Sequence, residues 1–228
     1  MYALFARAYE ATDRQRFFTD LAAKRDVLLL RGDGGRIAGF TTLAVFEDAH
    51  SAGEDGESED GGCPIRVVFS GDTLVDPACW GSNALNFAWI RHIARIRAEA
   101  PETPLYWLLL SKGFRTYRYL STFAHQYVPR RDGPDDPALA ALRDQLAERL
   151  FGPAFDKTRG IVAHDPPRDR LAAPLAALPQ TGRAAGEARF FARRNPGYVR
   201  GEELVCLCAL DVGNMRPFAQ RLYRQAMA

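Results

Sequence analysis

The sequence predicts an α/β fold, and three observations lead to that prediction. Two β-rich runs flank Asp33-Gly34-Gly35, residues that tolerate positive φ and are therefore typical of a tight hairpin. Further along, strand-like runs alternate with amphipathic helical patterns, an order typical of α/β proteins. The 228 residues are 47% hydrophobic and 25% charged, which suits one compact domain and excludes collagen-like and wholly disordered chains. We therefore expect residues 1–228 to form a single domain.

The N-terminal segment predicts two short helices. Apolar residues recur from Tyr2 to Arg25, and Thr12-Asp13 interrupts them where a helix cap belongs. The predicted hairpin follows directly.

Residues 47–63 form an acidic segment that we expect to be a mobile insertion between two strands. It contains seven acids and no Lys or Arg between Glu47 and Asp60, and very few apolar side chains. The whole chain has a net charge of +2, and setting these seven acids aside leaves 30 basic against 21 acidic residues, a balance of +9. The near-neutral total gives no reason to expect a nucleic-acid partner, whereas the basic remainder permits phosphates or an acidic carrier protein.

The next segment predicts a strand, a turn and a helix. The run PIRVVFSGDTLVDP is the strand, with an irregularity expected at Gly71 and Asp72. Four residues at steps of four, three and four define one face of the helix: Leu85, Trp89, His92 and Ile96. A strand that leads into a helix N-terminus presents unpaired N–H groups and a positive dipole end, which favour a phosphate. The small residues Gly81 and Ser82 permit a close approach to this turn.

The remaining chain continues the α/β order. LYWLLLS is a short apolar run typical of a strand covered on both faces, and a helix that carries Tyr117 and Tyr119 follows it. Residues 130–190 predict a helix and an extension rich in Pro, Gly and Ala. EELVCLCAL then reads as a buried strand before a terminal helix.

The element order and the turn VDPACWG, from Val75 to Gly81, resemble the GNAT acyltransferase superfamily over roughly residues 2–128. Val75, Pro77 and Gly81 match the outline of the turn whose amides hold the coenzyme A pyrophosphate in that family. Trp80 stands where the family usually has Arg or Gln, and Asn83 where it prefers Gly or Ala. The resemblance implies a mixed, mostly antiparallel central sheet flanked by helices, with one splayed strand pair that admits the pantetheine arm.

The resemblance also implies a set of residues that bind the acyl donor. The backbone at Leu74 and Val75 would hold the thioester carbonyl, and Ser111 stands where the family often has an Asn. The phosphates would lie against the turn formed by Trp80, Gly81, Ser82, Asn83 and Ala84.

Three residues are candidates for catalysis. Tyr117 and Tyr119 bracket the position of the family's tyrosine, whose phenol can protonate a departing thiolate. Asp72 is the best carboxylate to deprotonate an ammonium acceptor, the alternative being a turn carboxylate that bonds local backbone N–H groups. No metal site is expected, since Cys206 and Cys208 lack a second Cys/His pair at usable spacing.

The resulting hypothesis is a GNAT-like N-acyltransferase that moves an acyl group from acyl-CoA, as cosubstrate, to a small-molecule or peptide amine by direct attack on the thioester. The apolar, aromatic surroundings of LYWLLLS suggest an acyl chain longer than acetyl. Two alternatives stay open: an acyl carrier protein as donor, as in N-acyl amino acid synthases, and a catalytically degenerate fold that binds a ligand or a protein. The absence of a signal peptide and of a membrane-spanning run, with four cysteines read as reduced thiols, predicts a cytoplasmic location.

Overall fold

The computed structural model describes residues 1–50 and 63–227. Their strands are β1 (Tyr9–Glu10), β2 (Asp26–Arg31), β3 (Ile37–His50), β4 (Cys63–Val75), β5 (Leu105–Ser111), β6 (Phe155–Asp156), β7 (Ile161–Val162), β8 (Arg170–Leu171) and β9 (Glu203–Ala209). Their α-helices are α1 (Tyr2–Ala8), α2 (Arg14–Ala22), α3 (Ala84–Glu99), α4 (Phe114–Phe123), α5 (Pro137–Phe151), α6 (Ala173–Ala176), α7 (Ala185–Arg194) and α8 (Pro217–Met227).

Seven of the strands form the central sheet, in the order β2-β3-β4-β5-β9-β7-β6. β4 and β5 are parallel, and the other neighbouring pairs are antiparallel. β1 and β8 form a separate antiparallel pair. The predicted α/β class, with a mixed and mostly antiparallel sheet flanked by helices, is therefore confirmed.

The two faces of the sheet bury different helices because successive strand residues point to opposite sides. On one face, Trp107 packs in a core with the inward side of α3, including the fully buried Ile93. On the other face, Leu108 packs in a second core with Leu142 and Leu146 of α5. β5 is thus covered on both sides, as its continuous apolar sequence predicts.

The pairing between β4 and β5 ends before either strand does. Their parallel ladder runs only as far as Ser70 opposite Leu109, although β4 continues to Val75. At the same level the pairing of β3 with β4 shifts register, so that Gly71 and Asp72 together face a single residue of β3. The predicted irregularity at these two residues is a β-bulge, and the strand beyond it separates from β5 as the splayed pair requires.

The N-terminal predictions are also confirmed. Asp13 caps α2 by accepting a hydrogen bond of 2.7 Å from the backbone N–H of Arg16. A short helical turn at Asp33–Gly35 joins β2 to β3, with Gly34 and Gly35 at φ of +66° and +76°.

The boundaries of the predicted acidic insertion differ from the observed strand ends. β3 extends to His50 and β4 begins at Cys63, so that Glu47 to His50 pair with Cys63 to Arg66. Cross-strand pairing overrides the polar composition of these residues. The rest of the insertion lies outside the described residues.

Residues 130–190 add structure at both ends of the fold. α5 covers one face of the sheet, and the short strands β6 and β7 extend its edge beyond β9. β8 returns to pair with β1, which brings this segment against the N-terminus. Within residues 1–50 and 63–227, every helix is too short or too polar to cross a membrane.

Candidate functional site

Two cavities meet where β4 leaves β5. One has a volume of about 360 Å³, lies between the end of β4, the turn before α3 and the start of α4, and is called here the α3–α4 cleft. The other, called here the charged cavity, has a volume of about 440 Å³ and lies on the α5 side of the sheet. Both are lined by Tyr9, Thr73 and Thr116, so they adjoin at the splay.

The turn before α3 presents free backbone amides. Among the described residues, the N–H groups of Gly81, Asn83, Leu85 and Asn86 have no hydrogen-bond acceptor. Gly81 has a φ of +95°, which a side chain would strain, and a Cβ there would meet no atom within 4 Å. Free amides at the start of a 16-residue helix, together with its dipole, make this turn suited to an anion.

The structure divides the predicted turn residues into two groups. Trp80, Gly81, Ser82 and Asn83 line the α3–α4 cleft. Ala84 does not line it, and its N–H donates to the Ser82 hydroxyl at 3.3 Å. The amides of Trp80 and Ser82 donate to the Pro77 and Cys79 carbonyls. Gly81 and Asn83 are thus the predicted turn residues whose amides remain available.

The end of β4 offers peptide groups to the same cleft. The N–H of Asp76 donates to the Ala38 carbonyl of the neighbouring chain segment at 2.8 Å. Because peptide groups alternate along a strand, those of Leu74 also point toward β3, whereas those of Thr73 and Val75 point into the splay. Of the two residues predicted to hold a carbonyl group, Val75 has its peptide groups toward the cleft, whereas those of Leu74 point toward β3 although the residue lines the cleft.

A cation lies at the rim of the α3–α4 cleft. The guanidinium carbon of Arg115 is 4.6 Å from the centroid of the Trp80 ring, and the Trp80 indole N–H donates to the Val75 carbonyl at 3.1 Å. Arg115 also donates to the Leu175 carbonyl at 2.9 Å. No carboxylate pairs with Arg115 within the part of the chain that the structure describes, so its charge is available to an anion in the cleft.

The inner wall of the charged cavity holds three carboxylates and two lysines. Lys112, immediately after β5, lies 2.5 Å from a carboxylate oxygen of Asp169 and 3.7 Å from one of Glu203. Asp72, on the bulge of β4, lines the same cavity, and its side chain has no hydrogen bond or ion pair with any described residue. Lys24 lies beside this bulge, and its charge lowers the pKa of Asp72. Two ammonium groups therefore face three carboxylates.

These neighbours shift the pKa values of the cluster. Burial raises the pKa of Asp72 from 3.8 to about 6; Lys112 opposes the shift, and Asp169 and Glu203 reinforce it. Burial likewise raises the pKa of Glu203. Burial lowers the pKa of Lys112, but Glu203 and Asp169 outweigh it, so its net pKa is raised and it stays charged. Asp72 is thus poised to exchange a proton near neutral pH.

Tyr9 stands between the two cavities. Its ring stacks on Phe5, with centroids 4.5 Å apart, and lies 5.4 Å from the Lys112 ammonium. Burial is the main cause that raises the pKa of its phenol, which therefore stays protonated at neutral pH. Its hydroxyl has no hydrogen-bond partner among the described residues.

Two of the sequence-predicted site residues lie elsewhere. Tyr117 is fully buried, donates to the Pro129 carbonyl at 2.9 Å, and lines neither cavity. Ser111 is also fully buried, with its hydroxyl 4.0 Å from the Cys206 sulfur. Both point into the core rather than the splay. Tyr119, by contrast, is half-buried, lines the α3–α4 cleft and stacks on Phe123.

Sequence reasoning missed Tyr9, Lys112, Asp169 and Glu203. Lys112 carried a usable signal, because a lysine directly after a buried strand and next to Ser111 must point to the opposite side from that residue. Tyr9 and Asp169 come from segments that the β1–β8 pairing brings together across the chain. No local pattern could have indicated them.

Among known proteins, no protein-family model matches this chain, and no curated protein matches its sequence. Among solved structures, it is similar to the crystal structure of AtaTR bound with AcCoA, with 12% sequence identity and a TM-score of 0.34. The alignment covers 51% of this chain and 76% of that one. A likeness of this size carries no argument about activity.

The raised pKa of Asp72 predicts a pH-dependent stability. Because the pKa in the folded state, about 6, exceeds the ordinary value of 3.8, ionising this group costs folding free energy. Relative to Asp72→Asn, the free energy of unfolding of the wild type should fall by at most about 3 kcal/mol as pH rises from 4 to 6.5. Above that pH the difference should remain constant. Urea unfolding of both proteins across this range measures the difference.

Asp76→Asn is the matched control, because the Ala78 N–H, Arg36 and Arg7 lower the pKa of Asp76. A carboxyl group whose pKa is lowered by folding stabilises the protein at pH values above its pKa in the unfolded state, and this stabilisation is lost on acidification. Relative to Asp76→Asn, the wild type should therefore gain stability as pH rises, the opposite slope. Parallel slopes for the two variants would contradict the assignment of the Asp72 shift.

Proposed function

We propose that this protein is an acyltransferase that moves an acyl group from a coenzyme A thioester to an amine, within a GNAT-like fold. One observation carries the proposal: the splay of β4 and β5 joins a cleft suited to phosphates to a cavity that holds a carboxylate with a pKa of about 6. A thioester in the first and an amine in the second would meet at Thr73. Direct attack requires this convergence.

The α3–α4 cleft would bind the donor. The pyrophosphate would accept hydrogen bonds from the amides of Gly81 and Asn83 and lie near the Arg115 guanidinium. The pantetheine amides would pair with the open peptide groups of Thr73, as an added strand pairs with a sheet edge. The Val75 N–H would then polarise the thioester carbonyl, while the Val75 carbonyl accepts from the Trp80 indole.

The charged cavity would bind the acceptor and remove its proton. An amine is an ammonium at neutral pH, and the Asp72 carboxylate can take a proton from it before attack. The nitrogen then bonds to the thioester carbon, and the C–S bond breaks. Of the two protons that the nitrogen loses, one reaches the sulfur and the other reaches solvent, which leaves an amide and a thiol.

The proton for the sulfur requires a nearby acid. Tyr119, which the sequence predicts for this role, lines the α3–α4 cleft but not the charged cavity. Tyr9 lines both, and the sulfur would leave at their junction. We therefore assign the proton donor to Tyr9 and place Tyr119 in the wall of the donor cleft.

The acyl group is proposed to be short. The aromatic residues that suggested a longer chain are packed together: the Trp107 ring is tilted against Trp89, with centroids 4.4 Å apart, and Phe123 stacks on Trp89 at 5.5 Å. The recess that they leave beside Tyr119 has a volume of about 20 Å³. That is room for about one water-sized group, which accommodates the methyl of an acetyl group.

A chain-length series tests this point. Acetyl-CoA is expected to exceed octanoyl-CoA in kcat/KM by at least about tenfold, since each poorly placed methylene costs binding in the transition state. Phe123→Leu, which widens the recess, should narrow that ratio. A wild-type preference for octanoyl-CoA would contradict the short acyl group and support the longer chain that the sequence suggests.

Donor binding is tested at Gly81. Gly81→Val should weaken coenzyme A binding in calorimetry by about tenfold or more, because the substitution strains the turn and covers the amides. Gly182→Val is the matched control: Gly182 is also exposed, has a φ of +78°, would place a Cβ with no other atom within 4 Å, and lines neither cavity.

Equal losses in both glycine variants would mean that general destabilisation, not the turn, sets the affinity. If coenzyme A does not bind the wild type while an acylated carrier protein supports turnover, the donor is the carrier protein. If neither thioester donor reacts in a single turnover, the fold is a binding module.

Catalysis is tested by two conservative variants with acetyl-CoA and an amine panel. Asp72→Asn and Tyr9→Phe should each reduce kcat by about 10²-fold or more while coenzyme A affinity stays within about twofold. Wild-type kcat/KM should rise with pH through about 6, the pKa of Asp72, and this rise should vanish in Asp72→Asn.

Tyr117→Phe is the control, because the Tyr117 hydroxyl bonds the Pro129 carbonyl and reaches neither cavity. It should keep full turnover and lose only stability. Should Tyr119→Phe abolish turnover while Tyr9→Phe does not, the proton donor is Tyr119.

A further inference from the structure

The charged cavity carries carboxylates at its inner wall and arginines at its mouth. The inner wall holds Asp72, Asp169 and Glu203 against Lys112 and Lys24, a formal excess of one negative charge. Two further cations, Arg16 and Arg168, line the cavity and are exposed. The inner wall therefore attracts a cationic group, and the two guanidinium groups can bind an anionic one.

The two arginines at the mouth form no ion pair with the protein. Within residues 1–50 and 63–227, Arg16 and Arg168 lie within ion-pair distance of no carboxylate, whereas many other exposed arginines do form such pairs. Asp13 and Asp20 also line the cavity, and the Asp13 carboxylate accepts the capping hydrogen bond of α2. Both guanidinium groups are therefore open to a ligand.

His164 lies between the two ends. It lines the same cavity, and burial is the main cause that lowers the pKa of its imidazole; Arg168, Lys112 and Arg16 lower it further, and Asp169 opposes them. Arg16 and Arg168 therefore act on the same part of the cavity. This part of the cavity favours an anionic group, while the unpaired Asp72 carboxylate favours a cationic one.

We propose that the acceptor is a zwitterion: an amine whose ammonium lies against Asp72, Asp169 and Glu203 and whose far end carries a carboxylate or phosphate that Arg16 and Arg168 bind. This inference rests on the proposed function, because it names the acceptor class of the same site. A diamine would place its second cation beside the two arginines. An alkylamine without a second charged group would leave the arginines without a partner.

Acceptors of matched length test the proposal. With acetyl-CoA as donor, kcat/KM for γ-aminobutyrate should exceed that for n-butylamine and putrescine by about fivefold or more, the scale of exposed ion pairs. Aminopropyl phosphonate, compared with γ-aminobutyrate, distinguishes a phosphate-type from a carboxylate end. Arg16→Glu and Arg168→Glu should each lower kcat/KM for the zwitterions and raise it for putrescine. Arg14→Glu is the matched control, since Arg14 lies on the same helix as Arg16 but does not line the cavity, and it should preserve the preference.

Binding without a donor separates this inference from the proposed function. In an NMR titration, γ-aminobutyrate should bind more tightly than butyrate, which lacks the ammonium, and than n-butylamine, which lacks the carboxylate. If it binds in this way and no thioester reacts, the zwitterion site stands and the transferase proposal fails. If transfer occurs with equal kcat/KM for all three amines, or if Arg16→Glu and Arg168→Glu leave the preference unchanged, the transferase stands and the zwitterion site is overturned.

Discussion

The end of the β4–β5 ladder is the constraint on which the candidate site depends. The last paired residue of β4, Ser70, accepts a hydrogen bond of 2.8 Å from the buried Trp107 indole of β5, which fixes the two strands at this level. The bulge at Gly71 and Asp72 then turns β4 away. If the pairing continued, the peptide groups of Thr73 and Val75 would form hydrogen bonds with β5, and the α3–α4 cleft would not adjoin the charged cavity. The lost ladder bonds are what make the backbone available to a ligand.

The carboxylates of the charged cavity lower the stability of the folded state, and the rest of the fold offsets this loss. Three carboxylates lie near Lys112 and Lys24, one more than two ammonium groups can neutralise, and Asp72 is the one without an ion pair. Leaving a charge incompletely paired in a cavity destabilises a protein, and such groups concentrate where function requires them. Apolar burial in the two cores on the faces of the sheet, around Trp107 and Leu108, stabilises the fold and offsets the destabilisation caused by this cluster.

Local patterns in the sequence sufficed for the elements and for part of the site. The hairpin, the α3 face and the irregularity at Asp72 each follow from a few neighbouring residues, and each is observed. Tyr117 and Tyr119 illustrate the limit: residues two apart on a helix point in nearly opposite directions, so only one can face a cleft, and the sequence does not say which. Asp169 could not be predicted as a site residue because its position depends on a pairing between distant segments, which no local periodicity encodes.

The pairing of β1 with β8 has a consequence for the order in which the molecule becomes complete. It consists of two residue pairs and joins Glu10 to Arg170, 160 positions apart in the chain. Contacts of such long sequence separation close late in folding, because loop closure must be achieved before they contribute. A ladder this short also opens more readily than the central sheet. The β1–β8 pair holds Tyr9 and Asp169 in place. When this pair opens, a molecule therefore keeps an intact core but lacks an assembled cavity. The fraction of such molecules would set the fraction of active protein independently of global stability.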